Sequence, residues 1–211
     1  MFIKTSKPLL FAATILLTQG LAQNTLAADR HGFYFSATFG SAEYDIGLSD
    51  LADLNDGSNF TNASIDDSDT TFGLGFGYRI SPYLAAEVGY SDFGEVDISA
   101  ESDGTGFFWS PGPVTAAADT TGFTLGLKGV IPIQSNFEIY GRAGANRWDV
   151  DYDYADTSGV FSDSDDGTDA YFGIGASFLL QNISLGASFT RFDIADTDVD
   201  VIAAAIEVFV N

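Results

Sequence analysis

Four charged residues sit inside runs that otherwise alternate apolar with small residues: Glu87, Lys128, Arg142 and Arg79. Held in a confined interior, such charges must pair, because an uncompensated buried charge costs several kcal/mol. The chemistry open to them is an ion-pair cluster, either a self-neutralising plug or a gate on a narrow polar path. A second set is carboxylate-rich: DLNDGSN (residues 53–59), IDDSD (65–69) and FSDSDDGTD (161–169). Carboxylate clusters can hold Ca²⁺ or Mg²⁺. None of these has EF-hand spacing, since DSDDGTD places Gly167 without the later Glu, so no specific metal site is expected. His31 is the single histidine and there is no cysteine, which leaves no Ser-His-Asp set. The third set is Gly73, Gly75 and Gly77 in TTFGLGFGYRI (70–80). It is not a phosphate-cradling loop, because no helical pattern follows and no Lys-Ser/Thr pair completes a Walker motif.

Composition narrows what can position these residues. Of 211 residues, 19 are Phe and 9 Tyr, and the formal charge is −22, the wrong sign for a nucleic-acid binder. Lys4 and Lys7, the apolar run PLLFAATILL (8–17) and the small residues GLA and LAA describe a secretory signal peptide over residues 1–28, with cleavage after Ala28 or alternatively Ala22. The remaining residues, 29–211, suit one domain. No later run reaches 18 consecutive apolar residues, so no spanning helix is expected.

Period-two alternation marks eight strands. Phe33, Phe35, Ala37 and Phe39 oppose Tyr34, Ser36, Thr38 and Gly40; Phe72, Leu74, Phe76 and Tyr78 oppose Gly73, Gly75, Gly77 and Arg79. Leu84, Ala86, Val88 and Tyr90 oppose Ala85, Glu87 and Gly89, and Phe123, Leu125 and Leu127 oppose Thr124, Gly126 and Lys128. Residues 137–145, 170–180 and 183–189 repeat the pattern; the last run, 199–210, is apolar on both faces and has no readable phase. In the fifth strand Trp148, Val150, Tyr152 and Tyr154 fall on the face that began polar, as a β-bulge near Asn146 and Arg147 would produce.

The connections sort by length. Short ones (81–82, 132–136, 181–182) alternate with long ones (45–67, 94–119, 155–168). Short turns at one end and long loops at the other, with bulky faces opposite small or polar ones, predict an all-β fold: an eight-stranded antiparallel up-and-down transmembrane β-barrel. The aromatic faces meet lipid and the glycines face inward, where a narrow barrel is filled by side chains.

YLAAEVGYSDFG (83–94), FEIYGRAGANRWDVD (137–151) and ISLGASFTRFD (183–193) resemble the OmpA-type eight-stranded outer-membrane β-barrels. The resemblance spans essentially all of residues 29–211. It implies a place in the outer membrane of a Gram-negative bacterium, contact with lipid and lipopolysaccharide, and a C-terminal strand read by the barrel insertion machinery. It also implies an interior charge network. The chain departs from the family in carrying Gly186 and Ser188 where members often place charges, and in ending EVFVN, with Phe209 third from last.

By distance from the turns, Glu87, Lys128 and Arg142 lie at one height, roughly 10 to 15 Å up at ~3.3 Å per residue and a tilt near 40°. They should form one cluster, with Arg79 as a further inward cation. The expected function is a structural or surface-interaction barrel, with a narrow solute channel gated by interior charges as the alternative and a lipid-modifying enzyme as a third. A monomer is expected, without cofactor, with weakly held divalent cations at the acidic loops.

Overall fold

The computed structural model describes residues 31–46 and 57–210. The expected signal peptide and its two expected cleavage sites lie outside the described residues, as does most of the 53–59 acidic run. Nine strands follow in order: β1 Gly32–Tyr44, β2 Phe60–Asp66, β3 Ser68–Ser81, β4 Leu84–Ser102, β5 Gly112–Gln134, β6 Phe137–Asp156, β7 Gly159–Leu180, β8 Ile183–Ile194 and β9 Thr197–Phe209. Each pairs antiparallel with its neighbours, and β1 pairs with both β3 and β9. The sheet therefore closes. β2 pairs with the far half of β4 where β3 has ended, so β2 and β3 together act as one stave of an eight-stave barrel. Closure is what a lipid environment requires, since hydrocarbon offers the backbone no hydrogen-bond partners.

The two faces of the wall separate as alternation predicts. Phe39, Leu125, Ile174 and Ile202 are each about two-thirds exposed on the outside, whereas Tyr34, Lys128 and Glu138 inside are 2 % exposed or less. β9 acquires a phase: Val199, Val201, Ala203, Glu207 and Phe209 are buried inside, while Ile202, Ile206 and Val208 face out. The inward glycines make room for tyrosine rings. A Cβ on Gly77 would overlap the Tyr34 ring, and one on Gly175 the Tyr140 ring.

Two sequence expectations are corrected. β6 carries no bulge at Asn146 and Arg147; its register with β5 and β7 is unbroken through Asn146↔Thr124 and Arg147↔Thr168. Trp148 and Val150 are buried on the same inward face as Arg142. What changes is the medium on each side of the wall, not the pleat. The bulge is instead in β4, where Asp92 pairs with Thr121 and Gly94 with Thr120, leaving Phe93 as the extra residue. Gly94 there has φ +78°, a left-handed conformation that glycine adopts without a Cβ clash. The bulge shifts the phase so that Val96 joins Phe93 on the inside and keeps the inner face apolar above it.

The second correction concerns the long connections after the third and fifth barrel strands. They are mostly strand. β5, β6 and β7 have 23, 20 and 22 residues, so the β4–β5 and β6–β7 hairpins rise roughly 20 Å above the aromatic belt at ~3.3 Å per residue and a tilt near 40°. Their alternation was hidden because the outward residues there are Asp rather than Phe. At the same end, β8 and β9 join through a two-residue turn, Ala195 and Asp196, both with positive φ, the type I′ geometry that suits a tight hairpin.

Candidate functional site inside the barrel

Six charged side chains occupy the lower interior: Arg79, Lys128 and Arg142 against Glu87, Glu138 and Glu207. They form two groups rather than one. Nearest the short turns, Arg79 pairs with Glu138 at 2.9 Å, both essentially without solvent exposure. Arg79 also donates to the Pro82 carbonyl at 2.9 Å, and Ser177 donates to Glu138 at 3.4 Å. Glu138 can bury its charge because it accepts from both the guanidinium and the hydroxyl.

The second group centres on Lys128. Its ammonium pairs tightly with Glu207 and lies 3.8 Å from Glu87. Glu87 accepts a 2.6 Å hydrogen bond from the Tyr34 hydroxyl. The ammonium also sits 4.2 Å from the Tyr140 ring centroid, where the ring face attracts a cation. Arg142 is the direct register partner of Lys128 across β5 and β6, and its guanidinium lies 5.2 Å from the same ring. Among the described residues Arg142 has no carboxylate within ion-pair distance. With Glu87 it lines a polar cavity of about 60 Å³, shared with Ser36, Thr38, Thr124 and Thr190. Sequence reasoning singled out neither Glu138 nor Glu207. Both were findable: a lone carboxylate in a lipid-spanning strand must face inward, which would have fixed the phase of β9 at Glu207.

Above the polar cavity the interior closes again with different chemistry. Asn146 is fully buried, and over it stand Phe93, Trp148, Tyr171, Phe192 and Val199. Phe192 packs edge-on to Phe93 at 4.8 Å and stacks with Tyr171 at 5.3 Å. The Trp148 indole donates to Asp169 at 2.7 Å. The lumen is thus filled by an ion-paired layer and, above it, an aromatic layer.

Outside the lipid belt, carboxylates line the outer face of the tall hairpins. Glu95, Asp119 and Asp151 are consecutive register partners across β4, β5 and β6. Among the described residues no three His, Cys, Asp or Glu side chains converge to hold a metal ion. His31 places Nδ1 3.2 Å from the Ile80 carbonyl oxygen at the end of the sheet.

The outer membrane protein beta-barrel domain model matches residues 9–208. Among curated proteins, outer membrane protein P5 of Haemophilus influenzae is 27% identical over 156 residues, covering 70% of this chain and 41% of that protein; the match therefore spans less than half the length of that relative. Neisserial surface protein A has a similar fold, with a TM-score of 0.50 at 17% identity over 85% of this chain and 97% of that one. OprG of Pseudomonas aeruginosa gives a TM-score of 0.50 at 16% identity over 88% and 100%. The closed antiparallel wall, the aromatic belt and the family match agree: this chain belongs to the outer membrane protein beta-barrel family and is an integral protein of the Gram-negative outer membrane.

Proposed function

We propose that the protein is a non-conducting surface barrel whose working parts are the tall hairpins. One observation carries this: the lumen is closed twice, by the Arg79–Glu138 and Lys128–Glu207 pairs below and by the Phe93, Trp148 and Phe192 layer above. Three cations and three carboxylates leave the lower interior neutral, so the pairing needs no gating role to explain it. As is usual for outer-membrane barrels, the short turns then face the periplasm and the long hairpins the exterior. There the outward carboxylates meet the lipopolysaccharide headgroup layer, where weakly held divalent cations bridge them to its phosphates. The barrel works as a monomer, with β9 and its terminal Phe209 as the segment read by the insertion machinery. Catalysis has no support from the residues present, as the single histidine stands at the sheet end beside a carbonyl.

The alternative is a narrow channel gated by charge. The polar cavity beside Glu87 and Arg142 favours it. Single-channel recording in planar bilayers separates the readings. Silence from wild type and from Lys128→Ala is expected; unitary steps from either would establish a path through the lumen.

A further inference from the structure

Above the aromatic layer the inner face of the hairpins is apolar, lined by Val96, Ile98, Ala116, Ala118, Val150 and Tyr152. These residues help to line a cavity of about 200 Å³ at the barrel mouth, with no charged side chain in its lining. Its floor is the buried Val150 and the aromatic layer beneath. Ile194, Ala195 and Thr197 of the short β8–β9 turn form the opposite rim. A smaller recess of about 30 Å³ shares Ile98 and Ala116 with it and runs up to Trp109 and Phe60. Beyond Trp109 lie Phe108 and Phe161, their rings 5.9 Å apart, and a fully exposed Phe107. An apolar track thus descends from the hairpin tip to the cup.

Packing alone does not explain this lining. A hydrophobic cluster built only to hold two hairpins together closes to near-crystalline density and leaves few voids larger than a water molecule. Here a void many times that size is walled by methyl groups and ring faces. Burial pushes the Tyr152 and Tyr154 phenols above their ordinary pKa, as a weakly polar environment does. Apolar cavities of ~150 Å³ accept benzene, so this cup has room for one ring or a short alkyl chain. The charge pattern restricts the guest further. Asp97, Asp151 and Asp153 stand behind the wall, and Asp163 and Asp165 lie close enough to Tyr152 to raise its pKa. Anions are repelled, while the cup offers an ammonium group no carboxylate to pair with.

We propose that the barrel mouth is a binding site for a small uncharged apolar molecule, a single aromatic ring or a short hydrocarbon chain, captured from outside along the Trp109 track. This goes beyond the surface-barrel reading and is independent of whether the lumen conducts, so the conductance result stands whichever way the binding test falls.

The test is a toluene titration of the full chain in lipid nanodiscs, read by isoleucine methyl NMR. Ile98 and Ile194 report the cup, and Ile139, Ile174 and Ile206 report lipid. Saturable shifts confined to Ile98 and Ile194 are expected, with only linear partitioning shifts at the lipid-facing methyls. Ala118→Leu and Ala116→Leu each fill the cup and should weaken binding at least tenfold. Linear shifts everywhere would overturn the proposal. So would wild-type affinity in both folded variants. If neither variant inserts, the wild-type shift pattern decides alone.

Discussion

The same strands cross two environments, and their polarity inverts between them. Below Asn146, β6 turns Ala143 and Ala145 outward to lipid and keeps Arg142 and Gly144 inside. Above it the outward residues are Asp149, Asp151 and Asp153, while Trp148, Val150 and Tyr152 face in. β5 does the same, from Leu127 out and Lys128 in to Asp119 out and Ala118 in. Within the membrane the outside is the apolar solvent, so charge can be housed only inside. Above it the outside is water and the ordinary rule of soluble proteins returns. A regular pleat read by hydrophobicity alone therefore changes phase at the lipid boundary without any change in backbone.

Four substitutions and a change of pH probe that contrast. The largest effect is expected from Arg79→Ala, which strands the fully buried Glu138 in the lower interior. Loss of one partner of a buried pair costs about 3–5 kcal/mol, read as a lower urea midpoint for unfolding from lipid vesicles. Glu207→Gln should cost less, because Lys128 keeps Glu87 nearby. Next, one substitution should have opposite consequences on the two sides of the boundary. Leu127→Arg puts a cation on the lipid face near mid-membrane and should cost ~2–4 kcal/mol. Asp151→Arg lies on the same outward face beyond the belt, among Glu95 and Asp119, and should leave stability unchanged or raised in the same assay. Equal penalties would mean that both sites face one medium.

The smallest effect is a pH response of the hairpins. Asp97 and other carboxylates nearby raise the pKa of Glu95; burial, then Asp92 and Asp151, raise that of Asp119. An acid whose folded pKa is raised opposes folding when ionised, and that opposition is relieved as pH falls through the raised value. Asp103 and Asp156 behave oppositely. Hydrogen bonds, chiefly from the Asn59 and Ser158 side chains respectively, hold them well below the usual range. Their stabilisation is present above the unfolded carboxylate pKa and is lost only as pH falls through their own low values. As pH falls from neutrality through the raised values of Glu95 and Asp119 and stays above the lowered ones of Asp103 and Asp156, the balance favours order, so protease resistance of the β4–β5 and β6–β7 hairpins should rise slightly. A fall over that window would mean the outward carboxylates are not in mutual repulsion.

Much of the membrane-spanning part was legible in the sequence, because alternation there is between extremes: Phe35 against Ser36, Leu125 against Gly126. Strand arithmetic put Glu87, Lys128 and Arg142 at one level, and Lys128 stands in register with Arg142. The partners escaped notice for physical reasons. Glu207 sat in a strand whose inward residues are themselves apolar, since Val199 and Val201 belong to the upper layer and Ala203 to its base. Glu138 is the second residue of β6, beside the short turn, where only its inward phase marks it as an interior group. The hairpins looked like loops because Asp-rich alternation resembles solvated coil when judged by composition. The β4 bulge gave no local signal except Gly94.

A single-cysteine spin-label scan of β6 over residues 141–154 tests the inversion most sharply, and the chain's lack of cysteine makes it practical. Regular register predicts that odd-numbered positions remain the accessible ones throughout. Oxygen should broaden 143 and 145, and a water-soluble nickel complex should broaden 149, 151 and 153, with no change of phase between. A switch of accessibility to even-numbered positions beyond residue 146 would contradict it and restore a bulge in that strand.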